Sequence, residues 1–375
     1  MNTAKFYIQV ALPVPLRHSF TYIPLESTNP VDYKIGARVS VPFGKRNMIG
    51  IISNLVTKNL SDVISYNIEL KKISEIIDKV SILTSSIVDL VEFASSYYQY
   101  PIGGVYFSCL PKLIKQGESL EKFTNKIVLL NTNYNQLKNS KKISKSQQQV
   151  FELLAQAPNG MSIFSLDKLG IKQKTLDVLL AQKWIYIKEQ ANPVVQNIEN
   201  DIQVNYLNQN LLELNNEQKI CFDAVLTQSN RLNNFKCFLL YGITGSGKTE
   251  VYMHLIYQLL LQKKQILILV PEIALTPQTI ERFKQRFNVK IAVIHSKVSG
   301  NTKTKDWLAA RDDQAKIIIG TRSAIFTPIQ NLGMIIIDEE HDNSYKQQDP
   351  APRYHARDAA IFYAISLQAK VLLGS

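Results

Sequence analysis

Cysteine, tryptophan and long apolar runs are scarce in this 375-residue chain, which has three cysteines and two tryptophans. Cys109, Cys221 and Cys237 are far apart and form no C-x-x-C pair. This spacing argues against a zinc site or a disulfide framework, and we expect three small buried apolar residues. No apolar run is long enough to span a membrane, and the chain has no signal-peptide pattern, so we expect a cytoplasmic protein.

Acidic residues are too few to balance the basic ones, and the formal net charge is +12. Basic residues exceed acidic residues by four in each of segments 1–117 (12 against 8), 118–200 (11 against 7) and 201–375 (20 against 16). Positive charge spread in this way suits a protein that touches a long polyanion at several points. General solubility is the alternative explanation. The length predicts two or three domains.

The most specific pattern is a phosphate-binding loop. Residues 242–249 fit G-x-x-x-x-G-K-[ST] at every fixed position. A predicted buried strand at 238–241 precedes the loop and a predicted helix at 250–261 follows it, so a phosphate would lie at a helix N-terminus. Lys248 would reach the β- and γ-phosphates of ATP, and the Thr249 hydroxyl would ligate Mg²⁺. The predicted ATP-binding residues of the loop are Gly242, Ile243, Thr244, Gly245, Ser246, Gly247, Lys248 and Thr249.

A second motif follows the apolar run at 334–337, which is typical of a central parallel strand. The run ends in Asp338, Glu339, Glu340 and His341. Four polar residues after a strand more often form a solvated loop, but the phosphate loop upstream favours a catalytic interpretation. We assign Asp338 to Mg²⁺ and Glu339 to the base that accepts a proton from the attacking water.

The first half of the chain contains two different patterns. Segment 1–115 has short β-like runs at 7–12, 37–41 and 49–56, separated by turn residues that include 42–44, and this predicts a small twisted sheet or barrel. A helix is predicted at 85–97 and a tyrosine-rich join at 95–106. In segment 118–198, helices are predicted at 146–155, 165–169 and 172–182 and a strand at 184–187, which is the outline of a winged helix. A polar linker is predicted at 192–209.

From about residue 208 the chain alternates between helices and buried strands. This alternation predicts an α/β fold with an open, mostly parallel sheet and helices on both faces. The predicted strands are 238–241, 266–270, 291–294, 316–319, 334–337 and 371–373.

These motifs resemble those of the primosomal protein N-prime family, the bacterial replication-restart DNA helicases. The resemblance extends over the whole chain and is carried by segments 241–252, 270–278, 320–326 and 338–342, and by segments 10–16 and 41–44 near the N-terminus. It implies an N-terminal domain at 1–115 that binds DNA 3′ ends, a winged helix at 118–198, and a RecA-like helicase lobe at 208–375.

The resemblance also implies roles for single residues. Gln218 occupies the position that reads adenine, although alone it could be a surface glutamine. The other implied positions contact DNA, although each could instead be an ordinary loop or surface residue. They are Thr276, Gln278, Thr321 and Arg322 on single-stranded backbone; Tyr345, Lys346, Arg353 and Tyr354 in an aromatic-rich loop; and Phe20, Thr21 and Gly36 at the DNA 3′ end. Thr21 replaces a residue that is usually acidic in this family.

The chain ends where the family's next helicase motif would begin. We therefore expect a truncated form or fragment that keeps DNA and ATP binding without helicase activity. The resemblance implies zinc in the full-length family, but the cysteines that would bind it are absent from this sequence. The implied cofactors are ATP and Mg²⁺, and the implied partners are DNA forks, single-stranded DNA, 3′ ends, primosome proteins and single-stranded DNA-binding protein. The alternative function is a non-catalytic module that binds fork DNA.

Overall fold

A computed structural model describes residues 5–26, 28–58, 70–123, 126–131, 144–157, 160–162, 166, 169–189, 205–227, 235–243 and 245–375. The chain divides into two compact units, one formed by 1–117 with 204–375 and the other by 118–203. The first unit contains both the N-terminal segment and the segment with the phosphate loop. The boundaries of the three predicted domains stay a prediction.

An antiparallel five-stranded sheet occupies the N-terminal segment, in the strand order β2-β1-β4-β3-β5. Alternate residues such as Ile8, Val10 and Val39 point into one buried apolar cluster, as the period of two along a strand requires. The predicted β-rich sheet is confirmed, but Pro42 lies inside a strand and not in a turn. The strands are β1 (Lys5–Ala11), β2 (Phe20–Tyr22), β3 (Arg38–Phe43), β4 (Arg46–Lys58) and β5 (Glu75–Ile76).

Three helices follow this sheet: α1 (Ser85–Tyr97), α2 (Ile102–Ser108) and α3 (Lys112–Lys115). The helix predicted at 85–97 is confirmed, and the Thr84 hydroxyl caps it by accepting from the Ile87 N–H. The tyrosine-rich join ends earlier than predicted. Gly103 lets α2 lie directly against the Leu12 backbone, which leaves no room for a side chain.

The unit at 118–203 has a three-stranded antiparallel sheet in the order β7-β6-β8. Its elements are β6 (Lys126–Leu130), α4 (Lys145–Ala155), β7 (Met161–Ser162), α5 (Gln173–Ala181) and β8 (Ile185–Glu189). Ser144 caps α4 in a capping box with Gln147. The central strand precedes the helices and was not predicted. Most of the helix predicted at 165–169 and most of the linker predicted at 192–209 lie outside the described residues, and the winged helix stays a prediction.

The C-terminal segment forms the predicted parallel sheet, with six strands in the order β11-β12-β10-β13-β14-β9. Every pairing is parallel, so the carboxyl ends of the strands lie at one edge. Its elements are α6 (Asn216–Thr227), β9 (Cys237–Leu240), α7 (Lys248–Leu261), β10 (Gln265–Leu269), α8 (Pro277–Arg286), β11 (Ile291–Ile294), α9 (Gly300–Arg311), β12 (Ile317–Gly320), β13 (Leu332–Ile337), α10 (Ala356–Leu367) and β14 (Lys370–Gly374).

One predicted strand is not buried. β9 is an edge strand that pairs only with β14 within the described residues. Leu239 is therefore 60% exposed and Cys237 is also exposed, which corrects the prediction that all three cysteines are buried. Cys109 is buried as expected, and Cys221 is half-buried.

Within the first unit, the N-terminal helices pack directly on the parallel-sheet segment. The Phe93 and Phe362 rings stack with centroids 4.0 Å apart, which joins α1 to α10. The Trp307 indole N–H donates to the Cys109 carbonyl at 3.1 Å, which joins α9 to the end of α2. The first contact is between partly buried aromatic rings and the second ties a buried tryptophan to the backbone, so together they hold the two segments against each other.

Candidate ATP and DNA sites

The phosphate loop lies between β9 and α7, as predicted. Gly245 and Gly247 both have φ of +84°, a left-handed conformation that other residues rarely adopt. A Cβ at Gly247 would also collide with the side-chain amide of Gln218. The backbone therefore favours glycine at Gly247, a fixed position of the motif, and at Gly245, a variable one. Thr244 lies outside the described residues.

Lys248 is the first residue of α7, a helix of 14 residues. Its ammonium group donates to the carbonyls of Gly242 at 2.6 Å and Ser375 at 3.2 Å. The same nitrogen lies 3.5 Å from a Glu339 carboxylate oxygen. The charge is thus held between the loop and the acidic motif, close to the positive end of the helix dipole.

Asp338 follows β13 directly and is half-buried. Burial raises its pKa, while the hydrogen bond from the Tyr252 hydroxyl, at 3.0 Å, opposes this shift. The Glu339 N–H also donates to this carboxylate. A carboxylate has about four lone-pair sites, so Asp338 keeps lone pairs for a cation. Sequence reasoning missed Tyr252, whose only signal was an aromatic residue one helical turn after Lys248.

Glu339 and Glu340 are half-buried, as Asp338 is, and His341 is exposed. Glu339 has φ of +47° and lies 3.6 Å from His341 Nε2. A left-handed glutamate is uncommon and is found where the surroundings impose it, often at functional sites. Glu340 pairs with Arg357 at 2.8 Å, which turns its carboxylate away from the phosphate loop. The structure therefore separates these adjacent acids, with Glu339 beside Lys248 and Glu340 in an ion pair.

Gln218 packs against the phosphate loop from α6. Its side-chain amide donates to the Ser246 carbonyl at 3.0 Å and accepts from the Asn215 N–H, also at 3.0 Å. The side chain is half-buried, so it is not the free surface glutamine of the alternative explanation. Its contact joins α6 to the loop that would hold the phosphates.

The residues at this edge fit ATP with Mg²⁺. Thr249 and Asp338 offer a hydroxyl and a carboxylate, which are hard oxygen ligands of the type that Mg²⁺ takes together with water and phosphate oxygens. Among the residues that the structure describes, no group of three or more histidine, cysteine or acidic side chains could hold a metal by itself. A metal here would therefore need oxygen ligands from the nucleotide as well.

The predicted single-strand contacts lie at the same edge of the sheet, after β10 and β12. Thr276 caps α8 by accepting from the Thr279 N–H at 3.2 Å, and Gln278 is exposed. Thr321 is only 5% exposed, so its side chain offers little to a ligand, contrary to the prediction. Arg322 is partly buried, and its guanidinium donates to Gln347 at 3.1 Å and to the Ser344 carbonyl at 3.0 Å.

The aromatic-rich loop requires a correction. Tyr345 and Tyr354 are 0% and 1% exposed, so neither can stack on a base. The Tyr345 hydroxyl lies 2.5 Å from the Asp338 carbonyl and 3.0 Å from the Leu269 carbonyl, and the Tyr354 ring packs edge-on against Phe326. Proline and charged residues around the tyrosines suggested a surface loop, but the rings fill space beneath it.

The two basic residues of the loop are more accessible. Arg353 is exposed and donates from Nε to the Gln348 carbonyl at 3.0 Å. Lys346 is half-buried, donates to the Arg353 carbonyl at 2.8 Å, and lies 5.4 Å from the centre of the Tyr98 ring. These cations remain candidates for phosphate contact, whereas the tyrosines do not.

The predicted DNA 3′-end residues do not converge as expected. Phe20 lies between His18 and Phe43, with ring centroids 5.0 and 5.1 Å away. Thr21 is the next residue along the strand and therefore faces the opposite side of the sheet. Gly36 is buried, and both of its backbone groups are bonded, to Ile52 and Ile82, so it cannot approach DNA. The open glycine near Phe20 is Gly44, in the turn after Phe43, with no atom within 4 Å of its Cβ direction.

Comparisons with known proteins assign both parts of the first unit. The family described as 3'DNA-binding domain (3'BD) matches residues 9–111, and the DEAD/DEAH box helicase family matches residues 215–374. A Haemophilus influenzae protein named "Replication restart protein PriA" is 41% identical over 98% of this chain and 48% of its own length. Those of Chlamydia trachomatis and Chlamydia muridarum are 36% and 34% identical over 99% of this chain and 49% of their own lengths.

The chain is similar to PriA proteins over almost its whole length. It spans about half the length of the curated relatives it matches. The DEAD/DEAH box helicase match implies use of ATP with Mg²⁺, which agrees with the donor set around Lys248 and Asp338. No helix in the described part of the chain is long and apolar enough to cross a membrane.

Proposed function

We propose that this chain is the DNA-binding and ATP-binding part of a 3′→5′ DNA helicase. The whole protein would recognise stalled or repaired replication forks and initiate primosome assembly for replication restart. The observation that carries the proposal is the convergence of Lys248, Asp338 and Glu339 at one edge of the parallel sheet, with Arg322 at the same edge. Similarity to PriA proteins supports DNA at replication forks as the substrate.

The ATP site follows from this geometry. Lys248 would meet the β- and γ-phosphates, the loop at 242–249 would donate backbone N–H groups to them, and Gln218 would contact the adenine. Thr249 and Asp338 would hold Mg²⁺, which neutralises phosphate charge when bound. Glu339 lies beside Lys248 with one face towards solvent, and it would accept a proton from the attacking water.

DNA would contact several parts of the chain. Gln278, Thr276, Arg322, Lys346 and Arg353 are the candidates for single-stranded backbone, because each offers a donor for phosphate oxygens. The N-terminal sheet would bind a 3′ end beside Phe20, and residues 118–198 would form the winged helix. Primosome proteins and single-stranded DNA-binding protein would be partners in the cytoplasm. The zinc of longer relatives has no cluster of ligands among the described residues.

A DNA-stimulated ATPase assay on the full-length protein tests the proposal. We expect forked DNA to stimulate turnover, and Lys248→Ala to lower it by about 10²–10³-fold, the cost of removing one preorganised charge-stabilising donor. Lys219→Ala removes the same charge from an exposed position beside Gln218 and should leave turnover unchanged. Fork binding without any turnover in the wild type would instead support the non-catalytic module.

The 3′-end assignment has its own test. We expect forks with a 3′-hydroxyl to bind more tightly than forks with a 3′-phosphate, and Phe20→Ala to remove this preference. Equal affinity for both ends in the wild type would contradict a 3′-end site in the N-terminal sheet.

A further inference from the structure

A group of basic side chains lies where α9 meets the N-terminal segment. α9 contacts that segment at two points: the bond from Trp307 to the Cys109 carbonyl, and Gly300, where a Cβ would stand 3.7 Å from the Leu113 side chain. Gly300, Lys303 and Trp307 have the i, i+3, i+7 spacing of one helix face. Lys303 is between the two contacts and therefore faces α3.

Lys115 on α3 faces Lys303 across this junction, and both side chains are half-buried. Burial lowers the pKa of both ammonium groups, and the charge of Lys303 adds to this effect on Lys115. Within the described ranges, neither lysine has a carboxylate within the 4.0 Å limit of an ion pair. Two like charges in a partly desolvated place cost free energy, and a shared anion removes that cost.

This junction continues the path of the candidate DNA contacts. β11 is an edge strand that pairs with β12, and the carboxyl end of each strand lies at the same edge. His295 and Lys297 follow β11, while Arg322 follows β12. Glu272 lies near both Arg322 and His295. Its carboxylate is 3.8 Å from Arg322, and its charge raises the pKa of His295.

His295 can donate to an anion without being charged. Burial lowers its pKa, and the charges of Lys303 and Lys297 lower it further. Its Nδ1 accepts from the Lys297 N–H at 3.2 Å, so a neutral ring carries its proton on Nε2. One neutral donor and three lysines thus lie between the end of β11 and α3.

We propose that Lys115 and Lys303, with Lys297 and His295 at the rim, bind a phosphate of the DNA backbone where the strand passes from the parallel sheet to the N-terminal segment. The proposal rests on the DNA-binding function proposed above and adds a site that bridges the two segments. Lysine binds phosphate as a point charge, and such contacts fix the position of a strand without reading its sequence. DNA is favoured over an acidic protein segment because the site lies in line with Arg322.

The test compares two lysines on the same helix in the full-length protein. Lys303→Gln removes the charge at the junction, and Lys305→Gln removes the same charge from an exposed position two residues away. Affinity for a labelled forked DNA is measured from about 50 to 200 mM salt, the range over which phosphate contacts change affinity most visibly. For Lys303→Gln we expect the slope of log affinity against log salt to become shallower by about 0.7–0.9, the loss of one phosphate contact. Lys305→Gln should match the wild type, and Lys303→Arg should keep the slope.

Two further measurements separate this site from a folding defect. If Lys115 and Lys303 share one phosphate, the double Gln variant should lose less affinity than the sum of the single variants. Without DNA, the Tm of Lys303→Gln should equal or exceed that of the wild type, because the repulsion from Lys115 is gone. A Lys303→Gln variant with the same affinity and slope as Lys305→Gln, or with a lower Tm, would overturn the inference. Absence of DNA binding in the wild type would instead refute the proposed function.

Discussion

The edge of the parallel sheet around Asp338, called here the acidic edge, and the aromatic-rich loop that follows it are neighbours in sequence. They differ in whether the predicted site residues are accessible. At the edge, Glu339 stays 35% exposed and lies 3.5 Å from Lys248. In the loop, Tyr345 is fully buried and its hydroxyl contacts the Asp338 carbonyl. A chemically suited side chain becomes a candidate for ligand contact only where the fold leaves it accessible.

Buried contacts connect the aromatic-rich loop to the acidic edge. The guanidinium of Arg322, a candidate DNA contact, bonds to residues 344 and 347, on either side of Tyr345. Tyr345 in turn bonds to the backbone at Asp338. The loop would therefore connect the DNA path with the acidic edge through buried contacts, and base stacking by Tyr345 is not needed for this.

The largest effect is expected at Glu339. Glu339→Gln removes the proton acceptor but keeps the shape, so turnover of the full-length protein with forked DNA should fall by about 10²–10⁴-fold, the usual contribution of a general base. ATP affinity, measured by equilibrium binding, should change little. Glu340→Gln serves as the matched control, because Glu340 pairs with Arg357 and not with Lys248. Equal losses in the two variants would remove the distinction drawn between these adjacent acids.

The next effect is on stability. Tyr345→Ala should lower the free energy of unfolding by about 3–5 kcal/mol, as for other buried aromatic truncations. Tyr345→Phe keeps the ring and should cost only about 0.5–1.5 kcal/mol for the lost hydrogen bond. Urea unfolding measures both changes. A Tyr345→Ala variant with normal stability and weakened DNA binding would restore the stacking interpretation.

A smaller effect is expected at the exposed cation of the loop. Arg353→Ala should weaken DNA binding equally for different sequences and make the salt slope shallower by about 0.7–0.9, since phosphate contacts carry no sequence information. Fluorescence anisotropy with two unrelated DNA sequences measures this. Arg282→Ala, on α8, removes the same charge from another exposed position. If Arg353→Ala changes one DNA sequence more than the other, its contact is not with the backbone.

The smallest effect concerns Asp338 in the absence of nucleotide. Because burial raises its pKa, the protonated form is favoured in the folded state, and the contribution of Asp338 to stability is lost as pH rises through the folded pKa. Asp338→Asn should therefore stabilise the nucleotide-free protein at neutral pH. Thermal unfolding at pH 7.5 and at a pH below the normal aspartate pKa should show the gain at the higher pH alone. An equal gain at both values would exclude titration of Asp338 as its cause.

The sequence by itself determined the order of strands and helices along the C-terminal segment, because parallel strands buried on both faces leave short continuous apolar runs separated by turn residues. It also located the phosphate loop and the acidic motif, whose chemistry requires particular residue types at fixed spacing. Only the tertiary structure decided that β9 is an exposed edge, that Gly36 and Tyr345 are buried, and that Lys115 faces Lys303. The physical reason is that accessibility and charge proximity depend on which elements pack together, and residues 188 positions apart leave no local pattern of their contact.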